Sequence, residues 1–261
     1  AIVEQQHHCS MIQLFHQLGS MKRNIWYTFP THTIVQAARQ DCVNQFLDDE
    51  ETTHLLFIDD DMVFGPEHYL LLEEDLVLND LDFVAALGFA NSIPTKPCVF
   101  GRLADRPEDG PKEWWQIPTE YPKNTLFETY ATGFGMCLMT RRLLEGMKKC
   151  ENERYQHFRH NHPLCCNEDV AFCINAQKKG YKIWCDSRVT IGHISKARPI
   201  IGEQTYDAQG KSAEYAYGMP VASIVPGDIN VHVHEETPFD AVVPFLKADE
   251  RPVERFLSVE R

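Results

Sequence analysis

The stretch Leu55-Leu56-Phe57-Ile58-Asp59-Asp60-Asp61-Met62-Val63-Phe64 sets three carboxylates between two apolar runs. Adjacent anions at the end of a buried strand repel one another unless positive charge sits among them. Asp59 and Asp61, one residue apart, have the spacing with which carboxylate oxygens reach a hard divalent cation, directly or through water, while a diphosphate fills other positions. A metal ion is therefore the expected positive partner. The competing explanation is a solvated acidic turn.

The elements that must hold these residues follow from hydrophobic spacing. Met11, Ile12, Leu14, Phe15 and Leu18 predict a helix over residues 2 to 18, and the aromatic run 24–29 predicts a short strand ended by Pro30. Ile34, Ala38, Cys42 with Val43, and Phe46 with Leu47 fall on one face of a helix over 33–47. His54 to Ile58 is an apolar strand, Pro66 opens a helix to about Leu78, and Asp82 to Leu87 is another buried strand. Such alternation predicts a mostly parallel sheet covered on both faces, with ligands gathering at the carboxyl ends of the strands. The aspartates lie at such an end.

Residues 91 to 127, rich in Pro, Trp and charge, predict loops and short strands along one wall of a cleft. A strand with internal glycines follows over Tyr130 to Met139, then a helix from Arg141 to about Lys149, and glycine inside a strand marks close approach of a backbone or ligand. Asn167-Glu168-Asp169 opens a helix to about Lys179, and Tyr181 to Cys185 and Arg188 to Ile191 are short strands before Gly192-His193. The chain thus divides into a core over 1–199 and an extension over 200–261 packed on it.

The formal charge of -13 over 261 residues argues against a surface devoted to nucleic-acid phosphates. No apolar run is long enough for a membrane span. Nine cysteines without a CxxC pair predict a reduced, cytoplasmic compartment.

Four blocks in order resemble the GT-A glycosyltransferases, particularly the family 2-like group with bacterial and phage members: ARQDCVNQFL, LLFIDDDMVF, YATGFGMCLMTRRLLE and NEDVAFCINAQKKGYKIWCDSRVTIGHI. The resemblance covers roughly residues 20 to 195. It implies an α/β, Rossmann-like GT-A core, a single domain with a C-terminal extension, and a nucleoside-diphosphate sugar as donor, with UDP-sugar favoured. Asp59 and Asp61 resemble the pair holding Mn²⁺ or Mg²⁺ against the diphosphate, and Asp60 would lie nearer the ribose or sugar. His193 resembles a further metal ligand, which favours Mn²⁺.

Glu168-Asp169 resembles the acidic pair of inverting members, with Asp169 as general base and Glu168 in support. The alternative is that both acids only favour the helix N-terminus through its dipole. Thr132, Gly133 and Phe134 resemble the segment lining the donor sugar and acceptor, and Arg39 the arginine beside the nucleotide. The fold normally starts with a strand whose loop grips the base, whereas Ala1 already falls in or near the following helix. The expected acceptor is a saccharide, protein or small-molecule hydroxyl; a modified DNA base is disfavoured by the charge.

Other clusters have simpler explanations. His7-His8, His157, His160 and His162 are expected at the surface, and His232 with His234 on a solvated or packed face. Trp114-Trp115 either stacks on a sugar or plugs the cleft. Two competing functions remain: a haloacid-dehalogenase-like phosphatase with Asp59 as nucleophile and Asp61 as acid and base, and a sugar- or nucleotide-binding module without turnover.

Overall fold

The structure, a computed structural model, describes residues 2–28, 30, 34–90, 92, 94–102, 115–116, 120–147, 157–158, 167–194 and 200–208. In chain order these form α1 (Ile2–Ser20), α2 (Val35–Asp48), β1 (His54–Ile58), β2 (Met62–Val63), α3 (Pro66–Leu78), β3 (Phe83–Leu87), β4 (Phe89–Ala90), β5 (Lys96–Pro97) and β6 (Val99–Arg102). Then come β7 (Trp115–Gln116), β8 (Leu126–Thr129), β9 (Ala131–Thr132), β10 (Met136–Thr140), α4 (Arg141–Met147), α5 (Glu168–Lys178), β11 (Ile183–Thr190), β12 (Gly192–His193) and α6 (Glu203–Ala208).

The central sheet has five strands in the order β1-β10-β3-β11-β8. Its side chains alternate between two covered faces, as the pleat requires. Leu55, Phe57, Phe83, Ala85, Cys137 and Met139 pack with α2, α4 and α5. Leu56, Ile58, Val84, Ala86, Met136 and Leu138 pack with α1 and α3. Cover on both faces explains why all of β3 is buried.

The expected α/β class holds, but the expected mostly parallel sheet does not. Only β3 and β11 pair in parallel; β1 with β10, β10 with β3, and β11 with β8 are antiparallel. The reason lies in the connections. A helix carries the chain from β1 to β3, so those two run the same way, one strand apart. No helix separates β3 from β10 among the described residues, and the chain returns through short strands to enter the gap in the opposite direction. Parallel neighbours need a crossover, and this step lacks one.

Three further expectations change. Asn24 to Thr28 forms no strand among the described residues, and Tyr27 packs its ring 5.4 Å from that of Phe15. A short aromatic run becomes a strand only where a neighbour offers a ladder. His7 and His157 are buried, not superficial: His7 faces the Met62 carbonyl, and His157, 0% exposed, bonds Gln40 and the Leu144 carbonyl. The expected strands 181–185 and 188–191 are one bulged strand, β11.

Of the extension, residues 200–208 are described: Ile201 bridges to His193, and α6 follows. His232 and His234 lie outside the described residues, as do His160, His162 and Trp114.

Candidate active site

Because β1, β3 and β11 run the same way, the loops leaving them open on one edge of the sheet. Asp59 to Asp61 leave β1, Phe89 follows β3, and His193 follows β11. The start of β10 lies at this edge too, where the Asp59 N–H donates to the Gly135 carbonyl at 3.0 Å.

Arg39, on α2 and only 7% exposed, supplies the positive charge for part of this acidic cluster. Its Nη2 donates to both oxygens of Asp59 at 2.8 and 3.1 Å, and its Nη1 donates to Glu168 Oε1 at 2.8 Å. The guanidinium carbon lies 5.2 Å from the centre of the Phe134 ring, an arrangement a planar cation favours. Burial opposes the charge on Arg39, but Asp59, Glu168 and Asp169 more than offset it and raise its pKa. One side chain thus ties α2, the end of β1 and the first turn of α5.

Asp61 turns the other way. Its Oδ2 lies 2.9 Å from His193 Nε2, across the short antiparallel pairing of β2 and β12. His193 Nδ1 lies 3.1 Å from the Phe89 carbonyl. A carbonyl only accepts, so Nδ1 carries the proton and Nε2 points at the carboxylate. The hydrogen bond to Asp61 is the main reason the His193 pKa is raised. Backbone bonds between His193 and Ile201, at 2.7 and 2.9 Å, and from the Ile194 N–H to the Asp61 carbonyl at 2.7 Å hold the clasp on both sides.

Asp169 stands at the head of α5. Its Oδ1 accepts the Val170 N–H at 2.7 Å, and its Oδ2 faces Gly133, where a Cβ would come within 3.8 Å. Burial, followed by the neighbouring Glu168 charge, pushes the Asp169 carboxyl up to about 6. That value suits a group that gives and takes protons near neutrality. Cys98 borders the same space: a Cβ on Gly133 would lie 3.1 Å from that of Cys98. Burial, then the charges of Asp169 and Asp59, push its thiol up to about 12, so it stays an uncharged wall. No sequence pattern marks Cys98; only the pairing of β6 with β9 brings it here.

The structure thus gathers Arg39, Asp59, Glu168, Asp169 and Gly133 in one group and Asp61 with His193 in another. Asp60 is exposed at the tip of the turn. Thr132 is buried, its hydroxyl donating to the Cys98 carbonyl at 3.0 Å. Phe134, expected to line the cleft, is 1% exposed and sits among Phe57, Phe83, Phe158 and Phe172, so it reaches the site through Arg39.

The expected grouping of Asp59, Asp61 and His193 on one cation separates accordingly. Among the described residues no three His, Cys, Asp or Glu side chains converge as a metal cage. What stands together is one carboxylate and one imidazole, a donor pair suited to Mn²⁺ whose other positions must come from water or a ligand's oxygens.

No family model and no curated protein matches the chain. Among solved structures, the crystal structure of A197 from STIV superposes with a TM-score of 0.45 at 18% identity, over 67% of this chain and 74% of that one. This agreement is too shallow to establish a common fold.

Proposed function

We propose that the chain is a metal-dependent glycosyltransferase of the GT-A type that moves a sugar from a nucleoside-diphosphate sugar to an acceptor hydroxyl with inversion. The observation that carries this reading is the His193–Asp61 pair. The Phe89 carbonyl fixes His193 so that Nε2 is the free ligand nitrogen, and its target is the carboxylate of an Asp-x-Asp turn.

Asp61 and His193 would hold Mn²⁺ or Mg²⁺, which when bound would stabilise the charge developing on the departing diphosphate. Asp169, half-buried, half-protonated near pH 6 and open toward Gly133, would take the acceptor's proton. Glu168 and Asp59, both held by Arg39, fix the distance between α5 and the end of β1. An Asp59 bound through both oxygens has the form of an anchor, which favours this reading over a phosphatase with Asp59 as nucleophile.

The test is nucleotide release from a panel of UDP-, GDP-, CMP- and dTDP-sugars, with and without Mn²⁺ and with Asp61→Ala as control. The expected result is metal-dependent release from one donor, UDP-sugar first, lost in the variant. Failure of every donor to bind or turn over removes the proposal; binding without turnover under any acceptor points to a binding module.

A further inference from the structure

Behind the site, β11 breaks register with β3. Asp186 pairs with Ala86, yet the next pairing is Thr190 with Leu87, so β11 spends four steps where β3 spends one. Residues 187–189 are looped into the strand between them. Everything downstream depends on how many residues that bulge absorbs. The Ile191 N–H reaches the Leu87 carbonyl at 3.1 Å, and Gly192 and His193 then pair with Val63 and Met62. One residue more or fewer would turn the His193 side chain to the opposite face, away from Asp61.

Three charged side chains hold the bulge closed. The carboxylate of Asp186, 0% exposed, accepts the Arg188 N–H at 2.8 Å and its Nε at 3.0 Å to each oxygen. The Arg188 guanidinium also reaches α3, where Nη2 donates to Asp75 Oδ1 at 2.5 Å. The Ser187 N–H, on the other side, bonds the Thr125 carbonyl at 3.0 Å.

This arrangement is a poor bargain for stability alone. Two buried carboxylates face one guanidinium whose side chain is 40% exposed, and Asp75 Oδ2 is buried without a hydrogen-bond partner among the described residues. Burial first, and the Asp186 carboxylate next, push the Asp75 carboxyl up to about 6. Replacing two buried carboxylates by apolar side chains of similar volume is often neutral or stabilising. What the charged trio adds is direction: a fork that spans one looped segment and one helix admits a single bulge geometry.

We propose that Asp186, Arg188 and Asp75 are positioning residues for His193, fixing the bulge in β11 so that His193 Nε2 meets Asp61. The metal-binding consequence rests on the glycosyltransferase reading; the positioning itself does not.

The experiment uses the full chain labelled with ¹⁵N-histidine. His193 held between the Phe89 carbonyl and Asp61 gives a slowly exchanging, downfield imidazole N–H resonance, assigned by its loss in His193→Gln. Arg188→Met and Asp186→Ala are expected to abolish it while the chain still melts cooperatively. Lys182→Met, which removes an exposed ion pair with Glu128 and a cation 5.8 Å from the Trp184 ring just before the same strand, is expected to leave it unchanged.

Should Arg188→Met fail to fold, Arg188→Lys keeps the charge but cannot span both carboxylates, and is expected to lose the resonance too. A resonance that persists in the folded Arg188 and Asp186 variants, or is absent from the wild type, overturns the proposal. With the resonance lost, Mn²⁺ affinity is expected to fall roughly 10- to 100-fold, the usual effect of disturbing a ligand's support. A chain that shows the resonance pattern but uses no donor keeps the positioning and loses only the enzymatic reading.

Discussion

Asp61 and His193, 132 positions apart in the chain, meet at 2.9 Å, while Asp59, two residues from Asp61, turns away to Arg39. The acidic triplet thus has two partners, a guanidinium for Asp59 and an imidazole for Asp61. Spacing suggested one cation shared by both aspartates; the geometry divides them between an arginine and a histidine.

Metal affinity is therefore expected to depend unequally on the two aspartates. Asp61→Asn and His193→Gln each weaken Mn²⁺ binding by roughly 100-fold or more, as loss of a direct ligand exceeds the usual effect of its supports. Asp59→Asn weakens it far less. Free Mn²⁺ measured by electron paramagnetic resonance gives the ranking, and equal losses at Asp59 and Asp61 would sink it.

Asp169 gives a prediction with opposite signs for activity and stability. Its carboxyl is ionised only as the pH passes about 6, so kcat/KM rises through that value on the acid limb. Asp169→Asn lowers turnover by about 100- to 10,000-fold, with donor binding retained. The folded pKa lies above the unfolded one, so this group's contribution to stability is fully present below about pH 4 and is lost as the pH rises through about 6. The Asn variant escapes that loss and still accepts the Val170 N–H. It melts higher than the wild type at pH 8, by on the order of 2 kcal/mol, and equally near pH 4. A variant that melts lower at pH 8 contradicts the assignment.

Arg39 is the structural keystone of the cluster. Arg39→Met leaves the largely buried Glu168 carboxylate without its arginine, while the more exposed Asp59 can turn to water, and is expected to cost about 3 kcal/mol in urea unfolding. Arg39→Lys recovers less than half of this, because one ammonium cannot serve both carboxylates. Full recovery by lysine would show that charge alone matters.

Gly133 separates space from stability. An added Cβ would lie 3.1 Å from the Cys98 Cβ and 3.8 Å from Asp169 Oδ2. Gly133→Ala is expected to cost about 1 kcal/mol or less of stability, while lowering kcat/KM at least 10-fold by filling the room in front of Asp169. A kinetically normal Gly133→Ala would mean that no reacting group enters there.

The sequence by itself determined the strand that ends in aspartates, the helix opened by Glu168 and Asp169, and the burial of β3, whereas the single strand expected over Tyr130 to Met139 is two, β9 and β10. The first three rest on local spacing and continuous apolar runs. It did not determine strand direction, since an apolar run reads the same both ways and β10 enters between β1 and β3 by a connection without a helix. Nor could it assign partners to charges: Arg39 looks like any helical arginine until folding places it against Asp59 and Glu168. Cys98 is invisible in sequence for the same reason, and the bulge that aims His193 shows only when β11 is laid beside β3. Periodicity records which face a residue buries; which distant charge it meets there is decided by the tertiary fold.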